Sequence, residues 1–155
     1  MNPDRPDRPR LVDEAQRALL AVHAGADEHA IDEISTEHVG ELVMLLFGEC
    51  STMVSELGDG GATPVQVQVF DEEGTEVSID SADPPVRTAV RTLLAEVHGN
   101  PGAAAEQVEI ALANAAPGEV RSLVLQALRW TSRLGAECVS RDLPVSPWLA
   151  DTLQD

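Results

Sequence analysis

The segment Thr36–Leu57, TEHVGELVMLLFGECSTMVSEL, constrains the fold more than any other part of the chain. Its centre, Val39–Phe47, is the most apolar run in the sequence, and a helix that is apolar nearly all round is usually buried all round. At helical rise the segment would be roughly 33 Å long, enough to cross a small domain. The sequence therefore predicts a central helix over 36–57 with the other helices packed around it. Glu41 and Glu49 bracket the longest uninterrupted apolar stretch, 42–48, and keep it well short of the roughly 18 apolar residues that a membrane span needs.

A chain of 155 residues is ordinary for one domain. Folding at that size buries about two thirds of the unfolded surface, so neither a disulfide nor a metal is required to hold the core. Cys50 and Cys138 both sit in apolar helical surroundings. Two lone cysteines suit a reducing compartment, where they act as small buried hydrophobes, with a bridge between them as the less favoured alternative. The first ten residues, MNPDRPDRPR, are polar and proline-rich, unlike a secretory signal. Residues 1–9 read as a flexible arm, residues 10–155 as a single globular domain, and the whole as cytoplasmic.

Charge is distributed unevenly. The chain has 27 acids, ten bases and a net charge of −17, and every base is arginine. Residues 11–63 hold eleven acids and one arginine, residues 64–83 six acids and no base, and residues 84–155 eight acids and six arginines. Nearly all the excess therefore lies in the first half. Direct nucleic-acid binding is disfavoured because phosphates would be repelled, and so is docking on an anionic membrane. Genome composition or salt adaptation would explain the same acidity without any functional role.

Periodicity and punctuation give the elements. Leu11, Ala15, Ala18, Leu19 and Val22 recur at helical spacing over 10–24, with Gly25 as a stop. An acidic connector over 26–35 carries Ile31 and Ile34, which can pin it to the core. Ser35 or Thr36 is the expected cap of the central helix, and Gly40 and Gly48 mark close approach of a neighbour. Residues 64–81 read as a β-hairpin, with Val69 opposite Val77, Val67 opposite Ile79, and Gly74 as the left-handed residue of a three-residue loop. Asp83-Pro84, Asn100-Pro101 and Pro117 each start a helix, and Ser146-Pro147 starts a short last one. The expected fold is α+β and mostly helical, with five to six helices around helix 36–57 and one hairpin over 64–81.

Local motifs for catalysis are sparse. His23, His29 and His38, with Glu41 one turn after His38, have the right chemistry for a metal. Their spacing matches neither HExxH nor a carboxylate-bridged ExxH pair. A thiol such as Cys50, inside an apolar acidic helix, is expected to be inert. There is no lysine for a phosphate loop of the GxxxxGK type. No cofactor is expected. Arg87, Arg91, Arg129, Trp130 and Arg133 could face an anionic partner, and Arg and Trp are enriched at binding hot spots. The plainer reading pairs those arginines with the acidic first half.

Three functions follow, in order of preference. The first is a non-catalytic, acidic protein–protein interaction or regulatory module that self-associates as a homodimer, with the hairpin-tip acids Glu72, Glu73 and Glu76 as contact residues. The second is a decoy whose carboxylates imitate DNA phosphates and occupy a basic nucleic-acid-binding protein. The third is a metal-dependent enzyme built on the histidine segment.

Overall fold

Proline opens the helices in the second half of the chain, and glycine closes several throughout. The computed structural model describes residues 8–32, 34, 38–58, 69–70, 73–114 and 116–153. Among these lie seven α-helices: α1 (Arg8–His23), α2 (Asp27–Asp32), α3 (Val39–Leu57), α4 (Pro84–Val97), α5 (Pro101–Asn114), α6 (Pro117–Ser140) and α7 (Pro147–Leu153). Pro101 and Pro117 open their helices where the sequence predicts. The N-terminal arm and the predicted caps Ser35 and Thr36 lie outside the described residues. The cap position of α3 belongs to His38, whose side chain makes no capping bond.

Caps differ in detail from expectation. Asn100 Oδ1 accepts the Ala103 N–H at 3.1 Å, a true side-chain cap for α5. Asp83 precedes Pro84 as expected, yet its carboxylate makes no capping bond. Glu119 Oε1 accepts the Ala116 N–H at 3.1 Å, the reach-back bond of a capping box at the start of α6. Gly99 closes α4 at φ +75°, a left-handed conformation that glycine adopts without steric cost.

The central helix is not buried all round. Leu42, Val43, Leu46, Phe47, Glu49, Cys50 and Met53 are buried, but Glu41 and Thr52 are exposed and Met44, Leu45 and Gly48 are half-buried. Nor does α3 organise the molecule alone. It packs on α1, α4, α5 and α6, whereas the longer α6 packs on α1, α2, α3, α4 and α7. The α3–α6 seam carries the aromatic pair, with the Phe47 ring edge-on to Trp130 at a centroid distance of 6.0 Å. The N-terminal connector contains α2, and it is Ala30, fully buried, that anchors it most deeply; Ile31 and Ile34 are half-buried.

The β-hairpin expected over 64–81 is not established. Val69–Phe70 (β1) and Glu76–Val77 (β2) pair antiparallel with Val69 opposite Val77, and Gly74 has φ +81°. The pairing among described residues is two residues long. Val67 and Glu72 lie outside those residues, and Ile79–Ser81 winds into a 3-10 turn in place of continuing the strand. That turn takes up the residues expected to continue the second strand, and α4 follows from Pro84. The helical part of the predicted fold therefore stands, without the hairpin at its predicted extent. No helix among the described residues is long and apolar enough to cross a membrane.

Glycines test the packing. A Cβ on Gly40 would lie 3.3 Å from Leu112 Cδ1, so α5 does approach α3 closely there. A Cβ on Gly48 would meet nothing within 4 Å, so the second predicted close approach is absent. Nothing local in the sequence marks Gly135, where a Cβ would collide with the Leu153 side chain of α7. Gly48→Ala is therefore expected to stabilise the protein by up to about 1 kcal/mol, through helix propensity alone. Gly135→Leu should cost about 1–3 kcal/mol by forcing α7 from its seat. Urea unfolding followed by helix circular dichroism measures both, and a destabilised Gly48→Ala would contradict the open space at that position.

Candidate functional site

Three helix ends meet on one side of the molecule. The start of α4, the end of α5 and the start of α6 enclose a half-open cleft of about 160 Å³. Its lining is largely apolar, from Pro85, Ile110, Leu112, Val120 and Leu123, with Glu119 as a charged member. The local sequence explains each wall. Pro84 and Pro85 hold the first turn of α4 rigidly. The Asn114 amide donates to the Ile110 carbonyl at 2.8 Å and closes the last turn of α5. The Glu119 carboxylate is held across the first turn of α6 by its bond to Ala116. Ile110 stands at the lip with 54% of its surface exposed.

The residues singled out from sequence are placed as follows. His23 and His29 are exposed at the end of α1 and in α2, His38 is half-buried at the start of α3, and Glu41 is exposed. Among the described residues, no group of three or more His, Cys, Asp or Glu side chains comes close enough to hold a metal ion. Glu76 is exposed in β2 and Glu73 is exposed before it, and Glu72 lies outside the described residues.

Arg129 and Arg133 are exposed on α6, Arg91 is exposed on α4, and Arg87 is half-buried there. Arg87, Arg91 and Arg129 each already interact within the chain. Trp130, grouped with the arginines by its place in the sequence, turns its ring the other way, against Phe47. The helical period explains this: residue 130 lies about 100° round the helix from 129, enough to cross from the wet face to the buried one. One pairing between the arginine-bearing second half and the acidic first half involves a residue not among those singled out. Arg121 Nη1 lies 3.4 Å from Asp32 Oδ1, both well exposed, a geometry that contributes little stability.

Both thiols are buried and unbridged, in the α3–α6 seam. Cys50 Sγ lies 3.2 Å from Thr131 Oγ1. Either atom can donate in that contact, and the Thr131 hydroxyl also has the Ala127 carbonyl within reach at 2.7 Å. Burial pushes the Cys50 thiol up to about 12; the Thr131 bond opposes that shift and the Glu49 charge adds to it. A thiol held protonated in this way is a poor nucleophile. Cys138 Sγ reaches the Met53 carbonyl at 3.9 Å, and its thiol is pushed up chiefly by burial, with Glu56 and Glu137 adding and Arg141 opposing.

Two features went unread in the sequence. The cleft is one, because it is built from residues some forty positions apart. Glu49 is the other. It is only 8% exposed, and its Oε2 accepts the Ser146 hydroxyl at 2.7 Å. The signal was present, since an acid in the most apolar helix needs a partner. Ser146, however, reads as a helix cap, and nothing local ties it to residue 49. No family, curated protein or solved structure matches this chain.

Proposed function

We propose that the protein is a non-catalytic acidic interaction module that takes protein partners through apolar surface framed by carboxylates. The observation that carries this reading is the cleft, with its apolar lining, its exposed lip at Ile110 and its charged edge at Glu119. Exposed apolar surface at a concave feature rimmed by polar groups is characteristic of binding sites. Self-association is the simplest form of that function, because every copy also presents Leu20 and Val139, 49% and 37% exposed. The net charge of −17 opposes it, and salt screens that repulsion.

Light scattering after gel filtration, at physiological and at molar salt, tests the reading. The expected result is a species of twice 16.5 kDa that tightens as salt rises. A monomer at both salts overturns self-association and leaves foreign partners as the function. A monomer that also binds no cationic peptide overturns the interaction module itself.

The decoy reading has support in Asp13, Glu28, Asp32 and Glu41, exposed along α1, α2 and α3. It requires competition with duplex DNA for a basic DNA-binding protein, with affinity that falls steeply as salt rises. Salt-insensitive competition would sink it.

A further inference from the structure

We infer that the cleft between α4, α5 and α6 is a docking site for a basic segment of a partner protein, one that seats a single apolar side chain in the cleft and sets lysine or arginine against the carboxylates around it. This rests on the interaction-module reading and names its site and the chemistry of its partner.

Size is the first argument. A volume of about 160 Å³ is close to that of an engineered apolar cavity of about 150 Å³ that accepts benzene. The cleft therefore suits one side chain of the size of Leu, Met or Phe. It is half open, so the side chain can enter from solvent while its backbone stays outside.

Rigidity is the second. Proline opens both α4 and α6, and the Asn114–Ile110 and Glu119–Ala116 bonds fix the end of α5 and the start of α6. A preformed site loses less freedom on binding than one that must be ordered.

Charge is the third, and it selects the partner. Glu119 lines the cleft. Asp83 is exposed next to Pro84, Glu109 is exposed next to Ile110, and Glu106 is exposed one turn earlier on α5. Of the nearby bases, Arg121 already lies against Asp32 and Arg87 already interacts within the chain. A carboxylate offers about four acceptor positions, so Glu119 retains capacity beyond its bond to Ala116. A second copy of this chain, itself at −17, meets repulsion here. A cationic segment meets attraction, and like-charge contact is an effective means of rejecting wrong partners.

The test uses the full chain and a panel of short lysine-rich peptides, each with one Leu, Met, Phe or Ala at its centre, followed by fluorescence anisotropy. The Leu, Met or Phe peptide should bind about tenfold tighter than the Ala peptide, the expected gain from burying one such side chain. Ile110→Arg should abolish that preference. Ala136→Arg, which makes the same charge change at an exposed position near the far end of α6, should leave it intact, and helix circular dichroism verifies that both variants fold. Glu119→Gln should weaken every peptide and flatten the salt dependence. Equal affinity for all four peptides, or an equal response of the Ile110 and Ala136 variants, overturns the cleft as the site while the interaction module stands. Absence of binding by any peptide overturns the cleft as a site for cationic partners and, together with a monomeric mass, the interaction module as well.

Discussion

Above pH 9 the protein is expected to lose stability steeply, and the loss belongs to its thiols. In the folded state Cys50 holds its proton until about pH 12, against 9.0 for an unperturbed thiol. Between those values the unfolded chain releases a proton that the folded chain keeps, so rising pH favours unfolding. Below pH 9 both states are protonated and the contribution is fully present. Within the window the folding equilibrium constant falls about tenfold per pH unit, an accumulated loss on the order of 4 kcal/mol by pH 12. Cys138 is shifted in the same direction and adds a loss of the same sign.

Composition makes this measurement unusually clean. The chain contains no lysine and no tyrosine, the side chains that would otherwise titrate alongside thiols in the alkaline range. Urea unfolding at a series of alkaline pH values therefore reads the thiols directly. Cys50→Ala should flatten the dependence, and Cys50→Ala with Cys138→Ala should nearly abolish it. An unchanged slope in the Cys50 variant would show that the thiol is not as buried as its place between α3 and α6 implies.

The second large effect lies in the same seam. Phe47 is fully buried and presents its ring to Trp130 at an interplanar angle of 69°. Phe47→Ala should cost about 3–5 kcal/mol, from lost transfer energy and the cavity left behind. Domains of this kind have about 5–15 kcal/mol in total, so the melting temperature should drop by roughly 10 °C or more. The edge-to-face pairing should appear separately in a double-mutant cycle with Trp130→Ala, as a coupling of about 0.5–1.5 kcal/mol. A cost below about 1 kcal/mol, which a surface site would give, would contradict the burial.

The parts of this fold legible in sequence are those written locally. Pro84, Pro101, Pro117 and Pro147 open helices, and Gly25, Gly58 and Gly99 follow helix ends, because backbone geometry at these residues depends on the residue itself. The buried stripe of α4, with Ala89, Val90 and Leu93, follows from helical period. What was not legible depends on partners distant in the chain. Whether α3 is covered on every side, whether Glu49 finds Ser146, and whether Gly135 admits Leu153 are set by where α6 and α7 lie. The charged neighbours of Trp130 suggest a surface, whereas its own angle on the helix turns its ring to Phe47. The cleft could not be read at all, since none of its walls is a motif.

The first and last helices touch. The Gln16 side chain donates to the Trp148 carbonyl at 3.3 Å, across 132 residues of chain, and α7 also packs on α6. The seat of α1 is thus incomplete until α7, residues 147–153, has been synthesised. Meanwhile α3 emerges with Leu42, Leu46 and Phe47 uncovered, a condition that invites aggregation. The same early stretch, residues 11–83, carries seventeen acids and one arginine. Mutual repulsion between nascent chains then acts as a built-in solubiliser during the wait for α6 and α7. A fragment ending at Asp83 should accordingly remain dispersed at low salt and aggregate as salt rises.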